Sequence, residues 1–373
     1  MAKKIKKSSK RPVKSKSKKA LSVIIIILAI IVFAAWYLFG KPYIVPDEQG
    51  FMVVMTEEPI IQIGTSEDTA ADAALSTSAE SNAALREPQG PQTVEGAKGK
   101  NKNISNTSAD LGHSENTPLY FGNPTDALAD ISLDTNYLMT KPQYTLSYNT
   151  STLCPNWVAW HLDSENMGEA DRSDDFRPDT DLPSVWYGVK KADYQYSKYG
   201  FDRGHVCPSA DRTTTKEDNS MTFLMTNMVP QTPDNNRVIW MHFENFERQL
   251  VTEGNEVYII AGPYGTGGTS QKGTFDNIPI TLKSGETLYM NAPAYTWKVL
   301  IAIPGGEGDL ERIDETATVI AINVPNQMGM QKTGDWEQFL CSIDDIEELT
   351  GYDFFELLPD DIEDKLEARV YER

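Results

Sequence analysis

The chain has 373 residues, with 54 acidic and 34 basic side chains and a formal net charge of −20 at pH 7. Ten of the basic residues fall within the first 19 positions, so the remainder carries a charge of about −30. This balance argues against a protein that binds a polyanion through a broad basic surface, although a catalyst needs only a local cationic cleft. Three cysteines without metal-ligand spacing are too few for a disulfide scaffold or a zinc site.

The N-terminus has the pattern of a membrane signal anchor. Residues 1–20 form a basic tail, and residues 21–39 form an uninterrupted apolar stretch. About 19 helical residues span a hydrocarbon core of roughly 30 Å. The basic tail then stays in the cytoplasm, and the rest of the chain lies on the extracytoplasmic side of the cell membrane, held by a single pass. The alternative is a cleaved signal sequence and a secreted protein.

Residues 40–116 follow as a juxtamembrane segment and linker. Between 64 and 116 the chain is rich in small polar residues and has few large apolar ones, so it cannot bury enough surface to order itself. We therefore predict a flexible tether before a catalytic domain at 117–373. The pairing of Cys154, Cys207 and Cys341 stays open, since an exported domain could oxidise any one pair.

Aromatic and β-branched runs predict strands at 144–148, 157–162, 257–261, 295–303 and 317–324. The third strand is expected to end at Gly262-Pro263. Amphipathic spacing predicts helices at 238–250 and 342–349. For the second helix, Ser342 is the expected N-cap, Asp345 completes a capping box, and Gly351 lies past the end. The pattern indicates an α+β domain.

The run Asp-Arg-Gly-His at 202–205 carries the strongest chemical signal. An imidazole near its ordinary pKa can take a proton from water, and an adjacent guanidinium can hold phosphate oxygens in a planar fork. The tetrapeptide alone is also compatible with a turn that carries a surface ion pair. Of the other histidines, His161 and His242 lie on a predicted strand and helix, where core or surface roles are commoner, and His113 lies in the tether.

Three blocks, FDRGHVCPSADR at 201–212, TFLMTNMVPQ at 222–231 and NRVIWMHFE at 236–244, resemble the DNA/RNA non-specific endonuclease family. The similarity runs from about 144 to 355. It implies a ββα-metal (His-Me finger) nuclease domain with a central mixed or antiparallel sheet, here preceded by one transmembrane helix. The implied activity is metal-dependent hydrolysis of phosphodiester bonds in DNA and RNA with little sequence preference.

The resemblance also implies roles for individual residues. His205 matches the general base that activates water, and Arg203 is expected to contact phosphate or acidic groups of the site. Arg172 aligns with an arginine that stabilises negative charge in the transition state, with Arg177 as the competing match. Asn227 matches a position that supports the site by hydrogen bonding.

Asn236 matches the family's metal ligand, and the expected metal is Mg²⁺, with Mn²⁺ as the alternative. Glu244 is expected to orient metal-bound waters. The i, i+8 spacing places these two residues on one ridge of the predicted helix. Alternatively, Asn235 or Asn236 is the N-cap of that helix, and Glu244 is a solvated side chain. Arg237 and Val238 depart from the family pattern, which leaves substrate preference open.

Two other functions stay open at this point: a catalytically inactive nucleic-acid-binding surface protein, and a phosphodiesterase that acts on small nucleotides. DNA and RNA are the predicted substrates, and the membrane is the predicted partner of the N-terminal helix. The sequence indicates no particular protein partner.

Overall fold

The computed structural model describes residues 43–47, 50–54, 116–330 and 332–372. The chain divides into two compact units, Met1–Ala83 and Ala84–Arg373. The predicted basic tail and the apolar stretch at 21–39 lie outside the described residues. Within the described ranges, no helix combines the length and apolar character that crossing a bilayer requires.

The strands of the described ranges are β1 Tyr43–Asp47, β2 Gly50–Val54, β3 Tyr137–Thr140, β4 Thr145–Asn149, β5 Cys154–Leu162, β6 Asp202–His205, β7 Met228–Gln231, β8 Asn255–Tyr264, β9 Gly268–Ser270, β10 Gly273–Phe275, β11 Asn277–Thr281, β12 Thr287–Asn291, β13 Tyr295–Pro304, β14 Thr318–Pro325 and β15 Leu340–Cys341. The α-helices of the same ranges are α1 Tyr196–Tyr199, α2 Lys216–Met221, α3 Met241–Thr252, α4 Asp309–Arg312, α5 Ile343–Thr350 and α6 Asp360–Glu367. A π-helical segment, Asn235–Trp240, runs directly into α3.

In the second unit, seven strands form a central sheet in the order β15-β14-β13-β8-β5-β4-β3, and each neighbouring pair is antiparallel. Helices flank this sheet, so the α+β prediction is confirmed, and the sheet is antiparallel rather than mixed. The predicted pair of strands at 144–148 and 157–162 corresponds to β4 and β5.

The predicted end of the third strand is wrong. β8 continues to Tyr264 and pairs with β13 through Pro263, which lies opposite Thr296. Pairing of β8 with β5 stops at Ala261, which lies opposite Val158. Beyond that point β8 pairs on one side only, and a proline without an N–H is tolerated in an edge position.

Both faces of the sheet are buried, as β5 demonstrates. Val158 and Trp160 pack into one hydrophobic core, whereas Trp157 and Ala159 pack into a second. The first core also contains Phe243 of α3, and the second contains residues of α5 and α6. Because successive side chains point to opposite faces, a strand buried on both faces is apolar without alternation. This explains the continuous WVAW run in the sequence.

Helix α5 agrees with its predicted caps. The hydroxyl of Ser342 accepts a hydrogen bond from the Asp345 N–H at 3.0 Å, and the Asp345 carboxylate accepts one from the Ser342 N–H at 2.9 Å. Gly351 follows with φ of 75°, in the left-handed region that favours glycine. The capping-box prediction is therefore confirmed.

The predicted helix at 238–250 begins earlier than expected. The Asn236 N–H donates to the Thr232 carbonyl at 2.9 Å, so the chain is already helically bonded before Val238. The N-cap position belongs to Asp234, whose side chain forms no cap hydrogen bond. The alternative in which Asn235 or Asn236 caps this helix is therefore wrong.

Candidate active site

Two short strands and a helix form the frame of the site. β6, which carries the Asp-Arg-Gly-His run, pairs antiparallel with β7, and β7 leads into the π-helical segment and α3. A Cβ on Gly204 would lie only 1.7 Å from Oε1 of Gln231. The glycine therefore allows the Gln231 side chain to cross the two strands, where its Nε2 donates to Oδ1 of Asn235 at 2.9 Å. This hydrogen bond connects the strand pair to the start of the helix.

His205 lies at the end of β6 and is only 8% exposed. Its ring contacts the aromatic rings of Phe223 and Phe176, with centroids 4.7 and 5.6 Å away. Its Nε2 is buried and has no hydrogen-bond partner within the described part of the chain. Burial, followed by the charges of Arg172 and Arg203, holds the pKa of His205 well below its usual value. The imidazole is therefore neutral at pH 7, which is the state that a general base requires.

Arg172 lies beside the histidine pocket. Its Nη1 donates to Oγ of Ser209 at 2.8 Å, and its guanidinium lies 4.8 Å from the centroid of the Phe223 ring, which also contacts His205. Half of its side chain stays exposed, and its Nε pairs with Asp174. The guanidinium can therefore reach a negatively charged group in solution.

Arg177, the competing match, has a different environment. Its Nη1 donates to the Asp175 carboxylate and to the Ser220 carbonyl, and its backbone forms a bridge with Leu224. These contacts hold the side chain at the start of the segment that leads to β7. Of the two arginines, Arg172 is the one whose charge lowers the pKa of His205.

Arg203 is half-buried on β6, and its guanidinium lies 4.6 Å from the Phe176 ring centroid. Its Nε is buried without a hydrogen-bond partner among the described residues. Burial lowers its pKa, but a guanidinium stays charged at neutral pH. Together with Arg172 it surrounds the neutral imidazole with two cations.

Asn236 is half-buried on the π-helical segment. Its Nδ2 donates to Oδ2 of Asp202 at 3.0 Å, and the same carboxylate accepts two hydrogen bonds from Arg237, at 2.6 and 2.8 Å. With its nitrogen held by Asp202, the amide presents Oδ1, which has no hydrogen-bond partner among the described residues. A single amide oxygen with a fixed orientation fits a hard cation that keeps most of its waters.

Glu244 lies two helical turns beyond Asn236 and is half-buried. Burial raises its pKa to about 7, and the nearby cations Lys298, Arg248 and Arg172 oppose this shift. The charge of Arg172 acts on both Glu244 and His205, so both groups lie within electrostatic range of the same guanidinium.

Asn227 is fully buried, and all its side-chain hydrogen bonds go to backbone groups. Its Oδ1 accepts from the Cys207 N–H at 2.9 Å, and its Nδ2 donates to the carbonyls of Cys207 and Thr222 at 2.8 and 2.9 Å. Cys207 is two residues beyond His205, so Asn227 fixes the turn that follows the histidine.

A buried ion pair lies behind the site, and the sequence patterns did not predict it. Lys298 on β13 and Glu247 on α3 are both fully buried, and Nζ lies 3.0 Å from Oε1. The ammonium also lies 4.5 Å from the ring centroid of Trp240. The available signal was a lysine inside an apolar strand, which is rare unless the charge is paired.

A second pair, between Asp211 and Arg248, lies next to the first. Arg248 donates to Oδ1 of Asp211 at 2.6 Å, and the Trp160 indole donates to Oδ2 at 3.0 Å. These contacts connect α3, which carries Glu244, to β5 and to the segment after His205.

The remaining histidines and the cysteines lie apart from this arrangement. His161 is buried on β5, with Nε2 3.0 Å from Oε2 of Glu256, and His242 is exposed on α3. His113 lies outside the described residues. All three cysteines are free thiols, and Cys154 and Cys207 are buried.

Comparison with known proteins agrees with this frame. The model of the DNA/RNA non-specific endonuclease family matches residues 128–361. A nuclease of Nostoc sp. is 43% identical over 261 residues, which cover 70% of this chain and 88% of the relative. Mitochondrial nuclease EXOG of Mus musculus is 29% identical over 215 residues, and the match covers 57% of this chain and 55% of the relative.

A chain of the solved EndoG/EndoGI complex has the same fold. The TM-score is 0.50 at 21% identity, and the match covers 65% of this chain and 91% of that one. The ββα nuclease fold predicted for the domain is thereby supported. The chain belongs to the DNA/RNA non-specific endonuclease family, which confirms the predicted class of hydrolase and endonuclease.

Proposed function

We propose that this protein hydrolyses phosphodiester bonds within DNA and RNA, with little sequence preference, and that His205 is the general base. The observation that carries the proposal is the neutral, buried imidazole of His205 with two arginines around it. Attack of water on a phosphodiester needs an unprotonated base that can accept a proton and cations that stabilise the developing negative charge.

His205 takes a proton from the attacking water, and the new oxygen–phosphorus bond forms as the bond to the 3′ oxygen breaks. The leaving oxygen takes a proton from solvent, and His205 then returns its own proton to solvent, so the products are a 5′-phosphate and a 3′-hydroxyl. Arg172 and Arg203 hold the phosphate oxygens whose negative charge grows in the transition state. No covalent intermediate with the protein is required.

Asn236 and Glu244 fit a role in holding a divalent cation, with Mg²⁺ as the proposed metal and Mn²⁺ as the alternative. Asn236 offers a free amide oxygen whose nitrogen is fixed by Asp202. Glu244 offers a carboxylate that would accept hydrogen bonds from the waters of a bound cation. When bound, Mg²⁺ would neutralise charge on the scissile phosphate and its leaving oxygen.

We further propose that Asn227 is a positioning residue, because its amide fixes the turn after His205 and touches no exposed surface. Its contribution is to hold the imidazole in place. Contacts to the phosphate backbone rather than to bases would let the site accept DNA and RNA alike.

The basic tail at 1–20 and the apolar stretch at 21–39 support membrane tethering, with 40–116 as the linker and 117–373 as an extracytoplasmic catalytic domain. Protease added to cells whose outer envelope is permeabilised, with the cytoplasmic membrane intact, should digest a periplasmic or extracellular catalytic domain while the N-terminal tail survives. Protection of the catalytic domain until the cytoplasmic membrane is broken would contradict this placement, and release of the domain into the medium would favour the secreted alternative.

The activity is tested by supercoiled-plasmid nicking with the purified full chain in mild detergent, with and without Mg²⁺, beside His205→Ala and Asn236→Ala. We expect metal-dependent nicking that both substitutions abolish. A folded wild type that binds DNA but nicks no plasmid with any of several divalent metals would favour the inactive binding protein. Cleavage of a dinucleotide but not of plasmid DNA would favour the small-nucleotide phosphodiesterase.

A further inference from the structure

A second group of carboxylates lies outside the candidate active site, where α5 packs on α6. Asp344, Glu347 and Glu367 each direct one carboxylate oxygen into a common space, and these oxygens all lie within 4.8 Å of one another. Asp344 and Glu347 are one turn apart on α5, and Glu367 is the last residue of α6. Glu367 lies beyond residue 361, where the match to the family model ends.

Glu367 is the residue that distinguishes this group from an ordinary acidic surface. It is only 6% exposed, its carboxyl group contacts that of Glu347, and its Oε1 is buried without a hydrogen-bond donor among the described residues. A buried carboxylate oxygen that lacks a partner is costly unless a proton or a cation compensates it. Its position next to the oxygens of Glu347 and Asp344 indicates where the compensating charge would lie.

The nearby basic side chains of α6 and the following segment are engaged elsewhere. Lys365 pairs with Glu315, and Arg369 donates to the backbone carbonyls of Glu315 and Ala317. Asp353 and Glu363 lie near enough to act electrostatically on Glu367, as do Glu347 and Asp344 themselves. The nearby acidic side chains are therefore not matched by Lys365 and Arg369, whose contacts lie elsewhere.

We propose that Asp344, Glu347 and Glu367 bind a divalent cation of the Ca²⁺ type, which fastens α6 to α5. Ca²⁺ takes six to eight oxygen ligands at about 2.4 Å, so two of its ligands lie up to about 4.8 Å apart, whereas Mg²⁺ requires a tighter octahedron. Waters and the second carboxylate oxygens complete the shell. The site is structural, and the nuclease reaction does not pass through it.

The test is titration calorimetry: CaCl₂ is added to the full chain in mild detergent, and the heat of Ca²⁺ binding is measured. An Asn236→Ala background removes the proposed metal ligand of the active site. Glu367→Gln, which keeps the side-chain volume, is then added to that background. Asp364→Asn is the matched control, since Asp364 is an exposed carboxylate on the same helix. Circular dichroism establishes that each variant is folded, and Glu347→Gln replaces Glu367→Gln if that variant does not fold.

We expect Asn236→Ala to bind one Ca²⁺, and to gain about 5 °C or more in Tm when Ca²⁺ exceeds its Kd about 100-fold. Addition of Glu367→Gln should abolish both Ca²⁺ binding and the rise in Tm. Addition of Asp364→Asn should leave the binding and the rise in Tm unchanged. The proposal is overturned if Asn236→Ala binds no Ca²⁺, or if Glu367→Gln leaves binding unchanged. Either result is independent of whether the protein nicks DNA.

Discussion

Asn236 donates a hydrogen bond from Nδ2 to Oδ2 of Asp202 at 3.0 Å, so the first residue of the Asp-Arg-Gly-His run orients the amide of the proposed metal ligand. Asp202 and His205 lie on the same strand, which connects the proposed general base to the proposed metal ligand through one short segment. The contact gives the aspartate of the motif a physical role that the sequence did not specify.

Asp202→Ala should weaken metal-supported nicking. Without its acceptor, the Asn236 amide can rotate, and loss of such a supporting contact typically costs about 10- to 100-fold in metal affinity or activity. Asp202→Asn retains an acceptor oxygen and should recover part of the loss. The measurement is the Mg²⁺ concentration that gives half-maximal nicking.

Arg237→Ala is the matched control for this prediction, because it removes the exposed partner of Asp202 and leaves the contact between Asp202 and Asn236. Its effect should be small. An Asp202→Ala protein with the metal dependence of the wild type would show that the amide needs no support.

The pKa of Glu244, raised to about 7, predicts pH-dependent metal binding. A protonated carboxyl group attracts a cation less than a carboxylate, so metal affinity should fall as the pH drops through about 7. The wild type should therefore need several-fold more Mg²⁺ at pH 6 than at pH 8. Glu244→Gln should need more metal at both pH values, with little difference between them. The same pH difference in Glu244→Gln as in the wild type would assign the titration to another group.

Lys298→Met should destabilise the fold strongly. It leaves Glu247 buried without its cation, and breaking a buried pair in this way costs about 3–5 kcal/mol. The double variant Lys298→Met with Glu247→Gln removes both charges and should recover much of this loss. Urea denaturation gives the free energies of unfolding. A double variant no more stable than Lys298→Met would mean that lost packing, not the unpaired charge, dominates.

Asn227→Ala should reduce both stability and activity. It leaves the Cys207 N–H and two backbone carbonyls without their buried partner, at a cost of about 1–3 kcal/mol for each group that finds no other. Nicking at a temperature where the variant is folded should still be slower, because the turn after His205 is loosened. Asn245→Ala, at an exposed position on α3, is the control. Full activity of folded Asn227→Ala would limit Asn227 to a stabilising role.

The sequence was informative where a feature depends on neighbouring residues. Runs of aromatic and β-branched residues predicted β4 and β5, and local caps predicted α5, because strand propensity and capping are short-range properties. The end of β8 was not predictable in this way, since the tolerance for Pro263 depends on where the distant strand β5 stops pairing.

The same limit applies to the site. His205, Asn236 and Glu244 fall within contiguous motifs, so their candidacy could be recognised in the sequence. Lys298 and Glu247 are 51 residues apart, and only the packing of β13 against α3 makes them partners. The predicted helix start was also too late, because a backbone hydrogen bond from the Asn236 N–H to the Thr232 carbonyl begins the helical segment, rather than a capping side chain.

The most direct test of the account is imidazole rescue of His205→Ala, measured as single-turnover plasmid nicking at saturating Mg²⁺. Removal of a general base should slow nicking by about 10²- to 10⁴-fold, and added imidazole should restore part of the rate with the pH dependence of imidazole itself. The wild type should keep its rate down to a pH below 6.5, because burial favours the neutral ring of His205. His242→Ala, at an exposed histidine, should match the wild type. A His205→Ala protein that nicks at the wild-type rate would contradict the role of His205 as the general base.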